Sequence, residues 1–168
     1  MFPSWRLYTT EAETLSTCLW GVKWIRFFES CDCSFNEINI VDGTSFASGT
    51  KSYSSSAFAF SQSDQWAGLC FNREYWIGAS LPYEANIHCI SVQNTSHHKV
   101  NSLRVQKLNI VTGLWENVVS ADNMNTGNLA VNIISLHDPD AVSNLSIECF
   151  FCEGVLAFFS YHISGLFC

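Results

Sequence analysis

The sequence predicts an all-β sandwich or barrel. Three observations carry that expectation. The apolar runs are short and rich in β-branched and aromatic residues, turn residues recur between them, and no stretch holds a long helical period. No repeat at solenoid or propeller spacing is present, and the only low-complexity tract is the short Ser run at 54–56.

Trp20 to Phe28 (WGVKWIRFF) is aromatic and branched with partial alternation, and reads as a strand. Glu37 to Val41 is a second short strand, stopped by Asp42-Gly43. Thr44 to Ser56, rich in Ser, Gly and Thr, reads as a surface stretch, followed by the apolar island Ala57 to Phe60. Gln62 to Asn72 reads as a loop that contains Trp66 and Cys70. Glu74 to Leu81 is a strand ended by Pro82, and Asn86 to Gln93 is the next. Asn94 to Lys99 forms a polar loop.

Ser102 to Val111 is the longest strand candidate after that loop. Its apolar residues switch from odd positions (103, 105) to even ones (108, 110), which predicts a bulge. Thr112-Gly113 predicts a tight turn back into Trp115 to Val119. Asp122 to Asn128 is a polar loop, and Leu129 to Leu136 a strand closed by His137-Asp138-Pro139. Ser146 to Phe151 and Val155 to Ile163 are the final apolar segments, the last also open to a helical reading.

Composition narrows the function. With 168 residues the chain is one domain's worth, able to bury roughly 70 % of its unfolded surface. Lys and Arg total 8 against 15 Asp and Glu, a net charge of -7, and the cations are scattered singly. Nucleic acid and anionic lipid are poor partners for such a surface. The apolar stretch Gly154–Cys168 is 15 residues long with His and two Ser inside, whereas a spanning helix needs about 20. No strong membrane anchor is expected.

Eight cysteines (Cys18, Cys31, Cys33, Cys70, Cys89, Cys149, Cys152 and Cys168) fit an oxidised domain, with the pairing left open. The alternatives are a Cys149-x-x-Cys152 redox pair, or a zinc site joining Cys31 and Cys33 to Cys149 and Cys152. Asn94-Thr95-Ser96 and Asn144-Leu145-Ser146 are glycosylation sequons. The first residues have neither a basic n-region nor a long apolar h-region. Two settings fit: a cytoplasmic protein, or an internal piece of a longer secreted product that works outside the cell or on its surface.

No G-x-S-x-G elbow, H-E-x-x-H or P-loop is present, and the acidic residues are spread out, so no enzyme is expected. Rings on polar loops are the more telling feature. Phe46 lies within Gly43 to Gly49 and Trp66 within Asp64 to Gly68. Such a ring either meets a sugar face or plugs the end of the barrel. His97 and His98 form a loop pair that suits a ligand contact, the plainer reading being a solvated loop.

The order of features resembles the coagulation factor 5/8 type C, or discoidin, family. Ser54 to Ser61, Trp66-Ala67-Gly68 and Trp76-Ile77-Gly78-Ala79-Ser80-Leu81 follow that family's pattern. So do Asn86 to Gln93, Ser102 to Gln106 and Trp115 to Val118. The match covers residues 45 to about 120. Ser61 and Gln62 stand where the family has Asp and Gly, and the family's last strands are not found in 129–168. Trp5-Arg6-Leu7 and Trp20 to Phe28 look instead like the closing segment placed first.

The resemblance implies a jelly-roll barrel of the galactose-binding-like type. Residues 1–40 would supply N-terminal strands that close the barrel, and 41–168 the binding domain, in one compact unit. It implies a non-catalytic module that binds a glycan or glycoprotein through loops at one end. Phe46, Trp66, His97, His98 and Asp122 are the candidate contacts. No cofactor is expected beyond calcium, for which Asp42 and Asp64 are the candidate ligands. The alternatives are an adhesion or assembly module that contacts another protein, which predicts an exposed apolar patch, and an accessory domain of a carbohydrate-active enzyme.

Overall fold

The computed structural model describes residues 2–10, 19–40, 44–61, 64–70, 74–96, 98–127 and 130–136. They form an antiparallel β-sandwich of two sheets. The strands are β1 (Ser4–Thr9), β2 (Leu19–Phe28), β3 (Glu37–Ile38), β4 (Ser45–Ala47) and β5 (Trp66–Leu69). They continue as β6 (Tyr75–Ser80), β7 (Cys89–Asn94), β8 (Leu103–Leu108), β9 (Trp115–Ala121) and β10 (Val131–Ser135). One short helix, α1 (Phe58–Ser61), takes up part of the apolar island.

Sheet A has the order β4-β6-β1-β8-β9, so the N-terminal strand lies at its centre. Sheet B has the order β10-β7-β2-β3, and β5 pairs with the first half of β2. Alternation sets which residues turn inward. Trp5, Leu7, Ile77, Leu103 and Val105 of sheet A meet Trp20, Val22, Phe27, Ile90, Val92 and Ile134 of sheet B in one core. Each such large side chain contributes roughly 1.5–3 kcal/mol by leaving water.

In β2 the inward set shifts from even positions (Trp20, Val22) to odd ones (Ile25, Phe27). The register with β7 slips between Val22 and Trp24, so Lys23 is the extra residue of a bulge. The bulge expected from the parity of β8 takes another form. A register shift does fall between Val105 and Gln106, but the extra residue is Val118 on β9. β8 keeps an unbroken register with β1 through Lys107, and Ile110 has left the sheet. Its turn is built as expected. Asn109 Oδ1 accepts from the backbone N–H groups of Val111 and Thr112, and Gly113 adopts a φ of 71°.

Two segments read as surface or loop are strands. β4 pairs with β6 along Ser45 to Ala47, and β5 pairs with β2. In β5 a fully buried Trp66 meets Trp20 edge to face, with ring centroids 5.6 Å apart. The Trp20 Nε1–H donates to Asn94 Oδ1 at 3.1 Å. Asn94, the asparagine of the first sequon, is thereby a core residue at 2 % exposure. The second sequon lies outside the described residues, as do the C-terminal apolar segments.

Cys33 and Cys89 are joined by a disulfide that ties the loop after β2 to the start of β7 across 56 residues. Cys31 and Cys70 are each engaged in a disulfide as well. Cys31 and Cys33 thus offer no thiolate, which removes the zinc site that needed both. Cys18, Cys149, Cys152 and Cys168 lie outside the described residues. No helix among the described residues is long and apolar enough to cross a membrane.

Closing a loop of this length restricts the unfolded chain by about 4 kcal/mol in the chain-entropy account. Replacing Cys33 and Cys89 together by Ser is therefore expected to lower the unfolding free energy by about 3–4 kcal/mol in urea titrations.

Candidate functional site on the outer face of sheet A

The outward residues of sheet A line up in rows across the strands. One row runs Phe46, Gly78, Arg6, Gln106, Asn117 through all five strands, and the next runs Trp76, Tyr8, Arg104, Ser120. The bulge at Val118 puts both Asn117 and Ser120 on this face, although three positions separate them.

Arg6 stands at the centre of the face. Its Cζ lies 4.3 Å from the ring centroid of Trp115, 5.5 Å from Tyr8 and 5.7 Å from Trp76. These are cation–π distances, and three rings share one guanidinium. Its Nε–H donates to Gln106 Oε1 at 2.7 Å, and Gln106 Nε2 donates to Asn117 Oδ1 at 2.7 Å. That relay fixes the plane of the guanidinium. Among the described residues its Nη groups meet no acceptor within hydrogen-bond distance, which leaves their donors open. Burial holds the Arg6 guanidinium below its ordinary value.

Phe46 completes the cluster from the far edge. Its ring centroid lies 5.8 Å from that of Trp115 and 6.1 Å from that of Trp76. β4 and β9 are the two edges of the sheet, about 19 Å apart if the sheet were flat. The two edge side chains therefore lean inward over the face and meet above its middle. Gly78 makes the reach feasible. A Cβ there would stand 2.7 Å from Phe46 Cε2 and would collide with the Trp5 carbonyl oxygen.

Along β1 from Arg6 the surface opens into a cavity of about 250 Å³, lined by Tyr8, Thr10, Ser102, Arg104, Ser120 and Asp122 among others. The Tyr8 phenol is raised above its ordinary value by burial, helped by its hydrogen bond to Glu74 and that carboxylate's charge. Face and cavity together offer flat apolar rings beside a dense set of donors and acceptors.

The structure sorts the candidates drawn from the sequence. Phe46 and Asp122 both reach this face. Trp66 leaves the set of ligand contacts, because its ring is sealed in the core against Trp20. His98 lies elsewhere, its carbonyl accepting from Gly21 N–H at 2.8 Å beside sheet B. His97 and Asp42 lie outside the described residues. Asp64 is exposed, with Oδ1 accepting from the backbone N–H of Gln65. Among the described residues no three His, Cys, Asp or Glu side chains gather as a metal site.

Sequence reasoning missed Arg6, Trp76, Gln106, Trp115 and Asn117 as one site. The available signal was alternation: Arg6 and Tyr8 flank Leu7, and Trp76 and Gly78 flank Ile77. No family model, curated protein or solved structure matches the chain.

Two outcomes follow. Gly78→Ala is expected to lower stability by about 3 kcal/mol or more, because the new methyl meets backbone; thermal unfolding checks this. Tyr8 binds its proton more tightly folded than unfolded, and burial acts on Tyr75 in the same direction. Their contribution is full below the ordinary tyrosine range near pH 10 and is lost as pH rises through the raised folded values. Urea titrations from pH 9 upward are expected to show that fall, and Tyr8→Phe to reduce it.

Proposed function

We propose that this protein is a non-catalytic glycan-binding module, and that the outer face of sheet A is its binding surface. The observation that carries the reading is the gathering of Phe46, Trp76 and Trp115 around Arg6, with Arg6, Gln106 and Asn117 linked by hydrogen bonds. A pyranose ring has an apolar face that stacks on aromatic rings and a rim of hydroxyls that both donate and accept. The open Nη groups of Arg6 supply donors, and exposed Asn117 adds amide groups at the edge of the row. The resemblance to the discoidin family and its galactose-binding-like jelly roll supports the same ligand class. In this reading the contacts lie on a sheet face, with Phe46 at its edge, and not on end loops. Oxidised Cys31, Cys33, Cys70 and Cys89 favour an extracellular or cell-surface setting.

A second reading, an adhesion module that contacts another protein, is favoured by one feature. Ile110, Val111 and Leu114 stand exposed on the β8–β9 turn, with Phe2 and Tyr83 also exposed. Phe2, Tyr83 and Ile110 line a common cavity.

The test is a glycan array probed with the folded chain and with Trp115→Ala. Glycan binding that falls at least tenfold in the variant, a loss of about 1.4 kcal/mol or more, is the expected result. A folded chain that binds no glycan overturns the reading and moves the protein-contact module to first place.

A further inference from the structure

We infer that the face takes an extended neutral oligosaccharide, bound along β1 across two subsites, and not a single terminal sugar. This rests on the glycan-binding reading and specifies its ligand.

The first subsite is the ring cluster over Arg6. The second is the cavity beside it, where Tyr8 pairs with Arg104 and Arg104 with Ser120 in the strand register. The two are continuous, because Arg6 and Tyr8 follow one another on the outward side of β1, and Thr10, just past the end of that strand, lines the same cavity as Tyr8. From Arg6 to Tyr8 is about 7 Å of strand, and the cavity continues past the end of β1 to Thr10. Ring cluster and cavity together exceed what one pyranose ring can touch, and suit two or more laid end to end.

The chemistry of the subsites differs in a way that a chain of sugars would satisfy. The first is aromatic and holds a sugar by its face. The second has few apolar groups and holds a sugar by its hydroxyls. Arg104 offers donors only, Asp122 acceptors only, and Ser102 and Ser120 both. Each hydroxyl of a neutral sugar can donate to the carboxylate and accept from the guanidinium. Among the described residues neither Arg104 nor Asp122 forms an ion pair with another side chain; the ion pair found is Arg26 with Glu37 at 3.6 Å. Both groups are thus available to a ligand. With Arg104 and Asp122 in the lining and the Glu74 carboxylate hydrogen-bonded to Tyr8 beside it, a sugar carrying its own negative charge gains nothing there. It also meets a protein of net charge -7.

The experiment is an array in which each neutral backbone is presented at one, two, three and four residues, with carboxylated and sulfated counterparts. It is probed with the full chain, Arg104→Ala, Asp122→Ala and Trp115→Ala. Circular dichroism and melting establish that each variant is folded. The expected result is at least tenfold tighter binding at three residues than at one for the bound backbone. Arg104→Ala and Asp122→Ala flatten that dependence on length, while Trp115→Ala weakens every length. Equal affinity at all lengths, or a length dependence untouched by both cavity variants, overturns the two-subsite inference and leaves glycan binding standing. Preference for the charged counterparts overturns the neutral class. Absence of binding to any glycan defeats the underlying reading itself, and is distinguishable from the other outcomes for that reason.

Discussion

Sheet A is organised around β1, a strand of six residues with a neighbour on each side. Its inward residues Trp5 and Leu7 are buried in the core, and its outward residues Arg6 and Tyr8 form the middle of the exposed face. The two-residue period of a strand makes these assignments inseparable. A slip of one position would send Arg6 into the core and Leu7 into water. The register that secures the hydrophobic interior therefore also places the guanidinium among the rings.

The face also depends on the absence of a side chain at Gly78. That gap lets Phe46 cross β6, and the crossing brings the two edges of the sheet together over Arg6. Aromatic quadrupoles and one amide relay stabilise the cation, joined by the charge of Glu74 beside Tyr8. A salt bridge there would have occupied the donors. The arrangement instead holds Arg6 rigid while leaving its outer nitrogens open.

Much of the fold was legible in the sequence because its longer strands are strongly patterned. Leu19–Phe28, Tyr75–Ser80 and Val131–Ser135 fall within a residue or two of stretches recognisable from branched and aromatic runs, and Leu103–Leu108 lies inside one that was read three residues too long at its end. β4 and β5 were not legible, since Ser, Gly and Ala dominate their surroundings and their strand character comes from pairing with β6 and β2. Trp66 shows the same difficulty in a single residue. A ring between Gln65 and Ala67 looks like a loop aromatic until pairing with Val22 turns it inward. The face itself was only half legible. Phe46 and Asp122 stood out locally, whereas Arg6, Gln106 and Trp115 become neighbours through pairings that span about a hundred residues.

The central place of β1 bears on how the protein is made. Ser4–Thr9 leaves the ribosome well before its partners Tyr75–Ser80 and Leu103–Leu108. Sheet A cannot close from its middle until most of the chain has been synthesised, while β1 waits with Trp5 and Leu7 uncovered. Such non-local pairing slows folding and exposes a sticky strand in the interval. The strand at the middle of the face is thus also the one whose pairing sets how fast sheet A can form.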